Sequence, residues 1–369
     1  MVFIFYMLIE ILALAFFYYG TRKNRTIGIY VILSFTFLII LIIFRDLSVG
    51  TDYENYYNAV LRVANNNMLD YDYTWLSRGF RTFIKFIAFF GFPNDMLPFI
   101  VIGIISFFTL VLFYYSFIEF SIFPTFSLFI FFCFCLYFQM MNQFRQMFAI
   151  ALVLFSYKFI DKSFWKYFFT IILAAFFHGT AVIMLPMYFI CKLRISRTVI
   201  LCYFFACLTG VIMYPYIMGL VRYTSYSTYL GWEEFDVSKT ATAIINFIIR
   251  VFMLWICLKV RKNVISKKPK TAILYHMIIA CTIIQVFAVI SALFTRLTTY
   301  FYVFYILLIP EVIEEYKCYF TKESRLYFRI LVVLLFLLYQ IIYYAIQSEG
   351  SGYSDYKFIF ATRTVTGRL

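Results

Sequence analysis

Long apolar runs constrain this chain more than any other feature of its sequence. Backbone amide and carbonyl groups cannot stay unpaired in lipid, so an apolar run of about 20 residues is expected to cross a bilayer as an α-helix. The runs are continuous instead of alternating between polar and apolar residues, and this excludes a transmembrane β-barrel. The predicted spans lie near 3–19, 27–44, 97–118, 122–140, 144–160, 198–218, 241–260, 271–293, 297–316 and 326–346.

Composition supports a membrane protein and excludes several other classes. Of the 369 residues, 64% are hydrophobic and 14% are charged, whereas a soluble domain has about 25% charged residues. This balance excludes a cytosolic enzyme, a disordered tail and a secreted disulfide scaffold. The net charge is +14, but the basic residues form short clusters between the apolar runs, so we expect no nucleic-acid partner. With 2 histidines, and 8 cysteines that mostly lie within apolar runs, we expect neither a metal nor a cofactor.

Two stretches differ from simple spans. Residues 164–191 are too long for one crossing and too short for two, and His178-Gly179 near their middle predicts a re-entrant or broken helix pair. Residues 73–91 place basic side chains on one helical face and aromatic side chains on the other, which predicts an amphipathic helix at the membrane interface. The predicted fold is therefore an all-α polytopic membrane protein with about 10–12 transmembrane helices, forming one domain over residues 1–369. The basic residues of the 73–91 helix are Arg78, Arg81 and Lys85.

Five basic clusters predict the orientation in the membrane; they begin at Arg22, Lys158, Lys192, Arg261 and Lys317. All five fall on one side if 73–91 stays at the interface and 164–191 enters and returns on the same side. That side is the cytoplasm, because cytoplasmic loops carry an excess of lysine and arginine. Residues 45–96 and 219–240 are then the outer loops, and both termini face outward.

Polar residues gather at the predicted outer face and supply the first candidate site residues. Asp52, Tyr53 and Tyr56 follow Gly50-Thr51 in the first outer loop. They suit contacts to sugar hydroxyls, and equally a helix cap with an aromatic belt at the interface. Arg145-Gln146 begins a span. A guanidinium there either grips a phosphate through its forked donors or extends toward lipid headgroups.

The remaining candidates lie at the helix break, in a late turn and on the amphipathic helix. His178 suits a general base near physiological pH, or a hydrogen-bonded packing residue. Arg296 is predicted in a tight turn between two spans, where an ionisable group at membrane depth marks a functional site, and Tyr300 follows one turn later. The basic face of the 73–91 helix suits anchoring to anionic lipid.

Together, these residues resemble the EpsG family of Wzy-type polysaccharide polymerases. The matching positions run from Arg45 to Tyr300 and so cover most of the chain. One departure is the stretch Trp75–Phe80, where the family often has a glutamate and this sequence has none, so no carboxylate role is transferred there. The matching pieces are Arg45 with Val49-Gly50-Thr51-Asp52-Tyr53 and Tyr56; Arg145-Gln146; Phe177-His178-Gly179-Thr180; and Arg296 with Tyr300.

The resemblance implies glycosyl transfer at the extracytoplasmic face of the bacterial inner membrane, on a fold similar to the GT-C membrane glycosyltransferases. The implied donor is the growing glycan on a polyprenyl pyrophosphate. The implied acceptor is a lipid-linked repeat unit of an O-antigen, a capsule or an exopolysaccharide. Membrane lipids and a chain-length regulator are the other implied partners.

Roles for the candidate residues follow from that chemistry. Negative charge develops on the leaving pyrophosphate, and Arg145, Arg296 and Arg45 are the candidates to stabilise it. His178 is the first choice for the base that takes the acceptor proton, and Asp52 is the second. The basic face of the 73–91 helix is also a candidate to hold a second lipid pyrophosphate. The expected substrate-binding residues are Arg45, Tyr53, Tyr56, Arg78, Arg81, Lys85, Gln146 and Tyr300.

Two other functions remain open on the sequence. An O-antigen ligase shares the donor but usually carries a large late outer loop, and here only 219–240 is long among the late connections. A flippase for lipid-linked oligosaccharides predicts paired repeats and polar residues through the depth of several spans. Here the polar residues gather at one face and no repeat is evident. A polymerase is therefore the predicted function.

Overall fold

The computed structural model describes residues 2–22, 28–65, 76–221, 223, 237–291, 293–347, 352–353 and 356–359. This part of the chain is helical apart from its connections and one isolated antiparallel bridge between Arg45 and Phe358, so the all-α fold class is confirmed. In chain order the helices are α1 (Val2–Thr21), α2 (Ile29–Ile43), α3 (Tyr53–Ala64), α4 (Arg78–Ala88), α5 (Leu97–Phe120), α6 (Pro124–Cys133), α7 (Leu136–Asn142), α8 (Phe144–Ser156), α9 (Phe164–Phe177), α10 (Met187–Ile190), α11 (Arg197–Val221), α12 (Val237–Lys267), α13 (Thr271–Ile290), α14 (Leu293–Tyr302), α15 (Tyr305–Tyr316) and α16 (Lys322–Gln347).

The chain packs into two compact units. Unit 1 consists of Met1–Phe155, Phe176–His178 and Phe320–Leu369. Unit 2 consists of Ser156–Ala175 and Gly179–Tyr319. Unit 1 is therefore discontinuous in sequence. Its three segments are separated by the two segments of unit 2. The single domain expected over 1–369 stays a prediction.

The long helices confirm a multi-pass membrane protein. Within the described residues, 6 helices are long and apolar enough to cross a membrane, or up to 8 if each bent helix pair is one span. The bent pairs are α6 with α7, at 59°, and α14 with α15, at 48°; they occupy the predicted spans 122–140 and 297–316. The predicted spans 27–44 and 144–160 correspond to α2 and α8, which are apolar but have only 15 and 13 residues. These short helices, with α9, account for the difference from the predicted number of spans.

The helix break predicted within 164–191 is present. α9 ends at Phe177, His178 is not helical, and a 3-10 helix follows over Gly179–Met184 before α10. Glycine lowers helix stability and proline lacks the amide that a helix interior needs, so Gly179 and Pro186 limit this segment at both ends. The second arm is therefore a short 3-10 and α combination, where the sequence predicted a half-length α-helix.

The amphipathic helix predicted within 73–91 is α4, and residues 73–75 lie outside the described part of the chain. Its apolar side, which includes Phe80 and Ile84, is buried in the core of unit 1. On the polar side, Arg78 and Lys85 are exposed and Arg81 is half-buried. The segregation of the two faces confirms an amphipathic helix, while its place at the membrane interface stays a prediction.

Glu10, a charged residue in the middle of α1, has a partner that the sequence does not reveal. Its Oε2 accepts a hydrogen bond of 2.7 Å from Nε2 of Gln340 on α16, and both side chains are buried. Ring contacts also join Phe3 and Tyr6 near the start of α1 to Tyr344 near the end of α16. α1 and α16 are therefore antiparallel, and the start of α1 and the end of α16 lie at the same end of unit 1.

In unit 1, the basic residues that follow α1 and begin α16 lie away from the connection between α2 and α3. α1 and α2 form a hairpin in which Ser34 Oγ donates to the carbonyl of Ala13 at 2.7 Å, so α2 ends where α1 begins. Arg22 follows α1, and Lys322 and Arg325 begin α16, so these three residues lie at the opposite end. Within unit 1 the first loop and the basic clusters thus occupy opposite ends, as the sequence predicts.

Unit 2 gathers its basic connections at one end in the same way. The connections after α8, α10, α12 and α15 carry four of the five basic clusters. Side chains in or next to these connections contact one another, so within unit 2 the clusters lie together, as the sequence predicts. The contacts are Lys270 Nζ to Asp161 Oδ1 at 3.0 Å, Lys267 Nζ to Glu315 Oε2 at 2.5 Å, and His276 Nε2 to the carbonyl of Leu193 at 2.8 Å.

Candidate functional site

The connection from α2 to α3 is a tight loop anchored on Asn142 at the end of α7. Gly50 has a φ of +98°, which favours glycine, and a Cβ there would lie 2.6 Å from Oδ1 of Asn142. The same Oδ1 accepts a hydrogen bond from the backbone N–H of Asp52 at 3.3 Å. Nδ2 of Asn142 donates to Oγ1 of Thr51 at 3.2 Å. The Gly50-Thr51-Asp52 motif is thus held against the residues that immediately precede Arg145.

Arg45 is fully buried and supports this loop. Its guanidinium donates to the carbonyls of Ile42 at 3.2 Å and Met141 at 2.5 Å, and lies 4.0 Å from the centroid of the Tyr53 ring. Burial lowers the pKa of the Arg45 guanidinium, and the Tyr53 hydroxyl opposes that shift. One side chain therefore links the ends of α2 and α7 to the start of α3. These contacts favour a positioning role for Arg45 over direct contact with the leaving pyrophosphate.

The surroundings of Asp52, Tyr53 and Tyr56 test whether the motif is a helix cap with an aromatic belt at the interface. Asp52 is half-buried at the N-cap of α3, but its side chain makes no capping hydrogen bond. Helix capping therefore does not explain the carboxylate. Tyr53 and Tyr56 are 1% and 7% exposed and pack in the core of unit 1. An aromatic belt at the lipid surface would expose its rings, so that interpretation is wrong for these two tyrosines.

Arg145 is a buried cation in the first turn of α8. Its Nε donates to the hydroxyl of Tyr56 at 3.2 Å, and its guanidinium carbon lies 5.1 Å and 5.3 Å from the ring centroids of Tyr56 and Phe80. At 5% exposure the side chain does not extend toward lipid headgroups. The positive end of a helix dipole disfavours a cation by about 0.3–1 kcal/mol, so helix stability does not explain this arginine. A bound anion would be attracted by both the guanidinium and the helix N-terminus.

Gln146 follows Arg145 and is also buried, at 3% exposure. Burial of an amide is costly unless the amide is hydrogen-bonded. Unit 1 thereby brings together the sequence-predicted residues of the first loop and of the start of α8. They are Arg45, Asp52, Tyr53, Tyr56, Arg145 and Gln146.

The N-terminal end of α4 is hydrogen-bonded to the residue that precedes His178. Ser77 Oγ accepts a hydrogen bond from the N–H of Phe80 at 3.4 Å and donates to the carbonyl of Phe177 at 2.8 Å. The ring of Phe177 also packs edge-on against Phe148 of α8, with the centroids 4.7 Å apart. His178 is half-buried directly after this anchor. The helix break at His178 is therefore held in unit 1 by these contacts of Phe177 with Ser77, at the start of α4, and with Phe148 of α8.

Gly79 sets how closely α4 approaches the end of α9. A Cβ at Gly79 would lie 2.1 Å from the carbonyl oxygen of Phe176 and 2.2 Å from its ring. We expect Gly79→Ala to destabilise the protein by about 1–3 kcal/mol, because the carbonyl oxygen of Phe176 is a backbone atom that no rotamer change can move. Gly219→Ala is the matched control, since no atom lies within 4 Å of its Cβ and alanine is the better helix former. Thermal unfolding in detergent checks both variants, and equal midpoints would contradict the expectation.

Arg296 and Tyr300 lie in unit 2, one turn apart on α14. The tight turn expected at Arg296 is wrong, since α14 runs without interruption from Leu293 to Tyr302. The nearby threonines bond to carbonyls of their own helix, as Thr298 Oγ1 does to Thr295 at 2.7 Å, so this polar stretch remains helical. Thr180 Oγ1 donates to the hydroxyl of the fully buried Tyr300 at 3.3 Å, and Arg296 is half-buried. Within unit 2, Thr180 therefore contacts Tyr300 of the Arg296–Tyr300 motif.

Arg250 is a buried residue that the sequence interpretation missed. It lies within α12, is 8% exposed, and places its guanidinium carbon 4.7 Å from the centroid of the Tyr302 ring. The signal was available, because Arg250 interrupts the predicted span 241–260 and a charge inside a span marks a functional site. Gln285 on α13 is likewise buried, and its Nε2 donates to the carbonyl of Ala243 at 3.2 Å.

The predicted reaction residues are thus distributed over both units, and their joint use in one reaction stays a prediction. Arg145 and His178 belong to unit 1, and Arg296 belongs to unit 2. Among the described residues, no three histidine, cysteine, aspartate or glutamate side chains are grouped so as to hold a metal ion.

A known protein family matches most of this chain. The family model described as the EpsG family matches residues 28–358. The chain belongs to the EpsG family. It is therefore a multi-pass membrane protein of polysaccharide biosynthesis. No curated protein and no solved structure matches this EpsG family member significantly.

The resemblance that rests on short motifs is confirmed at the level of the family. The match with the EpsG family includes every candidate residue described above, from Arg45 to Tyr300. The likeness to GT-C glycosyltransferases stays a prediction.

Proposed function

We propose that this EpsG family protein is a polysaccharide repeat-unit polymerase of the bacterial inner membrane. It transfers a growing glycan from a polyprenyl-pyrophosphate donor to a lipid-linked repeat-unit acceptor at the extracytoplasmic face. Family membership supports a role in polysaccharide biosynthesis. The buried Arg145 supports a substrate that carries phosphate.

Arg145 carries the proposal because the setting of its buried guanidinium suits an anion. Two rings and the hydroxyl of Tyr56 fix the guanidinium at the start of α8. The forked donors of a guanidinium match phosphate oxygens, and the helix N-terminus adds partial positive charge. A pyrophosphate gains negative charge as its bond to the sugar breaks. A pre-organised cation at that position lowers the barrier to glycosyl transfer.

In the proposed reaction, a hydroxyl of the acceptor repeat unit attacks the anomeric carbon of the donor glycan. A new C–O bond forms at that carbon while the C–O bond to the pyrophosphate breaks, and the leaving polyprenyl pyrophosphate keeps the electron pair. His178 takes the proton of the hydroxyl, with Asp52 as the alternative base. Arg145 and Arg296 stabilise the charge on the leaving group.

The remaining candidate residues divide into substrate contacts and supports. Gln146 and Tyr300 contact substrate next to Arg145 and Arg296 respectively. The basic face of α4 binds the second lipid pyrophosphate or anionic headgroups, which the exposure of Arg78 and Lys85 supports. Tyr53 and Tyr56 hold the two buried arginines of unit 1 in place, as their ring contacts support.

The proposed location places the first loop, the start of α1 and the end of α16 outside the cell. The shared position of these features at one end of unit 1, away from Arg22 and Lys322, supports this arrangement. A chain-length regulator is a proposed partner at that face.

Reconstitution tests the function. The purified protein is reconstituted in lipid vesicles with lipid-linked repeat units extracted from the source cells. We expect a ladder of oligomers that differ by one repeat unit, with one polyprenyl pyrophosphate released for each new bond. Movement of the repeat unit across a vesicle membrane without a new bond would instead identify a flippase. Transfer only to a lipid that carries no repeat unit would identify a ligase, and either result would overturn the proposal.

A further inference from the structure

A short segment after α16 packs along the loop between α2 and α3. This tail segment comprises residues 352–353 and 356–359. Beside the bridge between Arg45 and Phe358, the N–H of Asp46 donates to the carbonyl of Lys357 at 2.9 Å. The N–H of Ile359 donates to the carbonyl of Phe44 at 3.0 Å. The tail segment is therefore paired in antiparallel fashion with the beginning of the loop.

The same segment also holds the far end of the loop. The N–H of Gly50 donates to the carbonyl of Gly352 at 3.1 Å. Gly352 has a φ of +71°, and a Cβ there would lie 3.1 Å from N and 3.3 Å from Cα of Gly50. Because these are backbone atoms, no rotamer change makes room for a side chain. One short segment thus fixes the loop at both ends.

The loop contacts Asn142, which is close in sequence to Arg145 of the candidate site. Gly50 packs against Asn142, and the N–H of Asp52 donates to Oδ1 of Asn142 at 3.3 Å. Asn142 lies three residues before Arg145. Arg145 itself is held from another side, by Tyr56 of α3 and Phe80 of α4. Displacing the loop therefore moves Asp52 directly, whereas Tyr56 and Phe80 contact the guanidinium from within α3 and α4.

We propose that the tail segment is a positioning element of the polymerase site, required for turnover and dispensable for donor binding. This inference rests on the proposed polymerase function. Misplacement of reacting groups by about 1 Å lowers a rate by about 100-fold, so turnover is the sensitive quantity. Donor binding depends on Arg145, whose guanidinium is held by Tyr56 of α3 and Phe80 of α4.

Two glycines provide a matched pair of variants. Gly352 and Gly91 have φ values of +71° and +72°, but no atom lies within 4 Å of a Cβ built at Gly91. Alanine at either position meets the same left-handed backbone strain, whereas only Gly352→Ala pushes against Gly50. In the reconstituted assay we expect Gly352→Ala to lower kcat by about 10- to 100-fold with KM for the donor unchanged within about twofold. Gly91→Ala should remain close to the unmodified protein.

Crosslinking supplies a readout that does not depend on activity. Asp46 and Lys357 lie opposite each other beside the bridge, and Cβ atoms of opposed residues are about 4.5–5.5 Å apart, within reach of a short bifunctional thiol reagent. We expect Asp46→Cys with Lys357→Cys to be crosslinked rapidly by such a reagent, and the added Gly352→Ala to slow that reaction. The exposed Cys202 and Cys318 are replaced by serine in this background.

The outcomes separate the two proposals. An unmodified protein that forms no oligomers overturns the proposed function, while the crosslinking rate still decides where the tail segment lies. If the unmodified protein polymerises and Gly352→Ala turns over like Gly91→Ala, the positioning role is overturned. A donor KM that rises as kcat falls overturns it as well.

A second variant covers the case in which Gly352→Ala does not fold. Tyr356→Phe removes only the 3.0 Å hydrogen bond from this tyrosine to the carbonyl of Leu41. We expect kcat to fall by about threefold, the effect of one ordinary hydrogen bond, and an unchanged kcat would overturn the inference.

Discussion

Replacing Arg145 by alanine is expected to lower polymer formation by about 100-fold or more. Removal of one pre-organised donor to a developing anion costs about 10²–10³-fold in rate, and Arg145 is proposed to fill that role for the leaving pyrophosphate. Arg145→Lys retains the charge but loses the planar fork and the stacking on Tyr56 and Phe80, so we expect only partial activity. The ladder of oligomers on a gel measures both effects, with single repeat units accumulating in the alanine variant.

The matched control for this experiment is Arg62→Ala. Arg62 lies on α3, like Tyr56, but is exposed to the surroundings. We expect it to give a normal ladder. Addition of guanidinium to Arg145→Ala should restore part of the rate if the defect is the missing cation. A normal ladder from Arg145→Ala would remove the observation on which the proposed function depends.

Replacing His178 by alanine is expected to lower the rate by about 10²–10⁴-fold, the contribution of a general base. The acid side of the pH–rate profile should disappear from the residual activity, because the group that must be deprotonated is gone. Added imidazole should restore part of the rate. Asp52→Asn is the decisive comparison, since loss of the acid side in that variant, and not in His178→Ala, would assign the base to Asp52.

The other histidine of the chain is the matched control. His276 Nε2 donates to the carbonyl of Leu193 at 2.8 Å, and Nδ1 accepts from the hydroxyl of Tyr203 at 2.9 Å. Both ring nitrogens serve packing, so His276→Gln should lower the thermal midpoint while folded protein keeps its turnover. A loss of turnover per folded molecule equal to that of His178→Ala would show that the two histidines do not differ in function.

Much of the fold follows from the sequence because lipid permits few structures. Continuous apolar runs become helices whatever their packing, so the positions of the long helices agree with prediction. The break at His178-Gly179 was also predictable, because glycine and the later Pro186 act locally. The lengths of α2 and α8 were not predictable, since hydropathy does not show where a helix ends inside an apolar stretch.

The candidate site was predictable in its residues and less so in their roles. The gathering of Asp52 and Arg145 in unit 1 agrees with their shared position in the predicted outer region. The partners of Arg45 were hidden, because two of them are backbone carbonyls, which every residue possesses. Arg250 was overlooked because the surrounding apolar run dominated the interpretation of residues 241–260. The tail segment was unpredictable, since its pairing with the loop joins positions about 300 residues apart through backbone contacts.

Because unit 1 includes both the first and the last segments of the chain, a ribosome completes unit 1 only after it has synthesised all of unit 2. All of unit 2 must be synthesised before α16 emerges, so the nascent α1 enters the lipid with Glu10 still lacking the amide of Gln340. A lone carboxylate inside a bilayer is costly, and early insertion of α1 therefore depends on the translocation machinery or on transient neighbours. Reporter fusions that stop translation before residue 340 would accordingly map the topology of an unassembled intermediate, and reporters inserted into full-length chains are the appropriate choice.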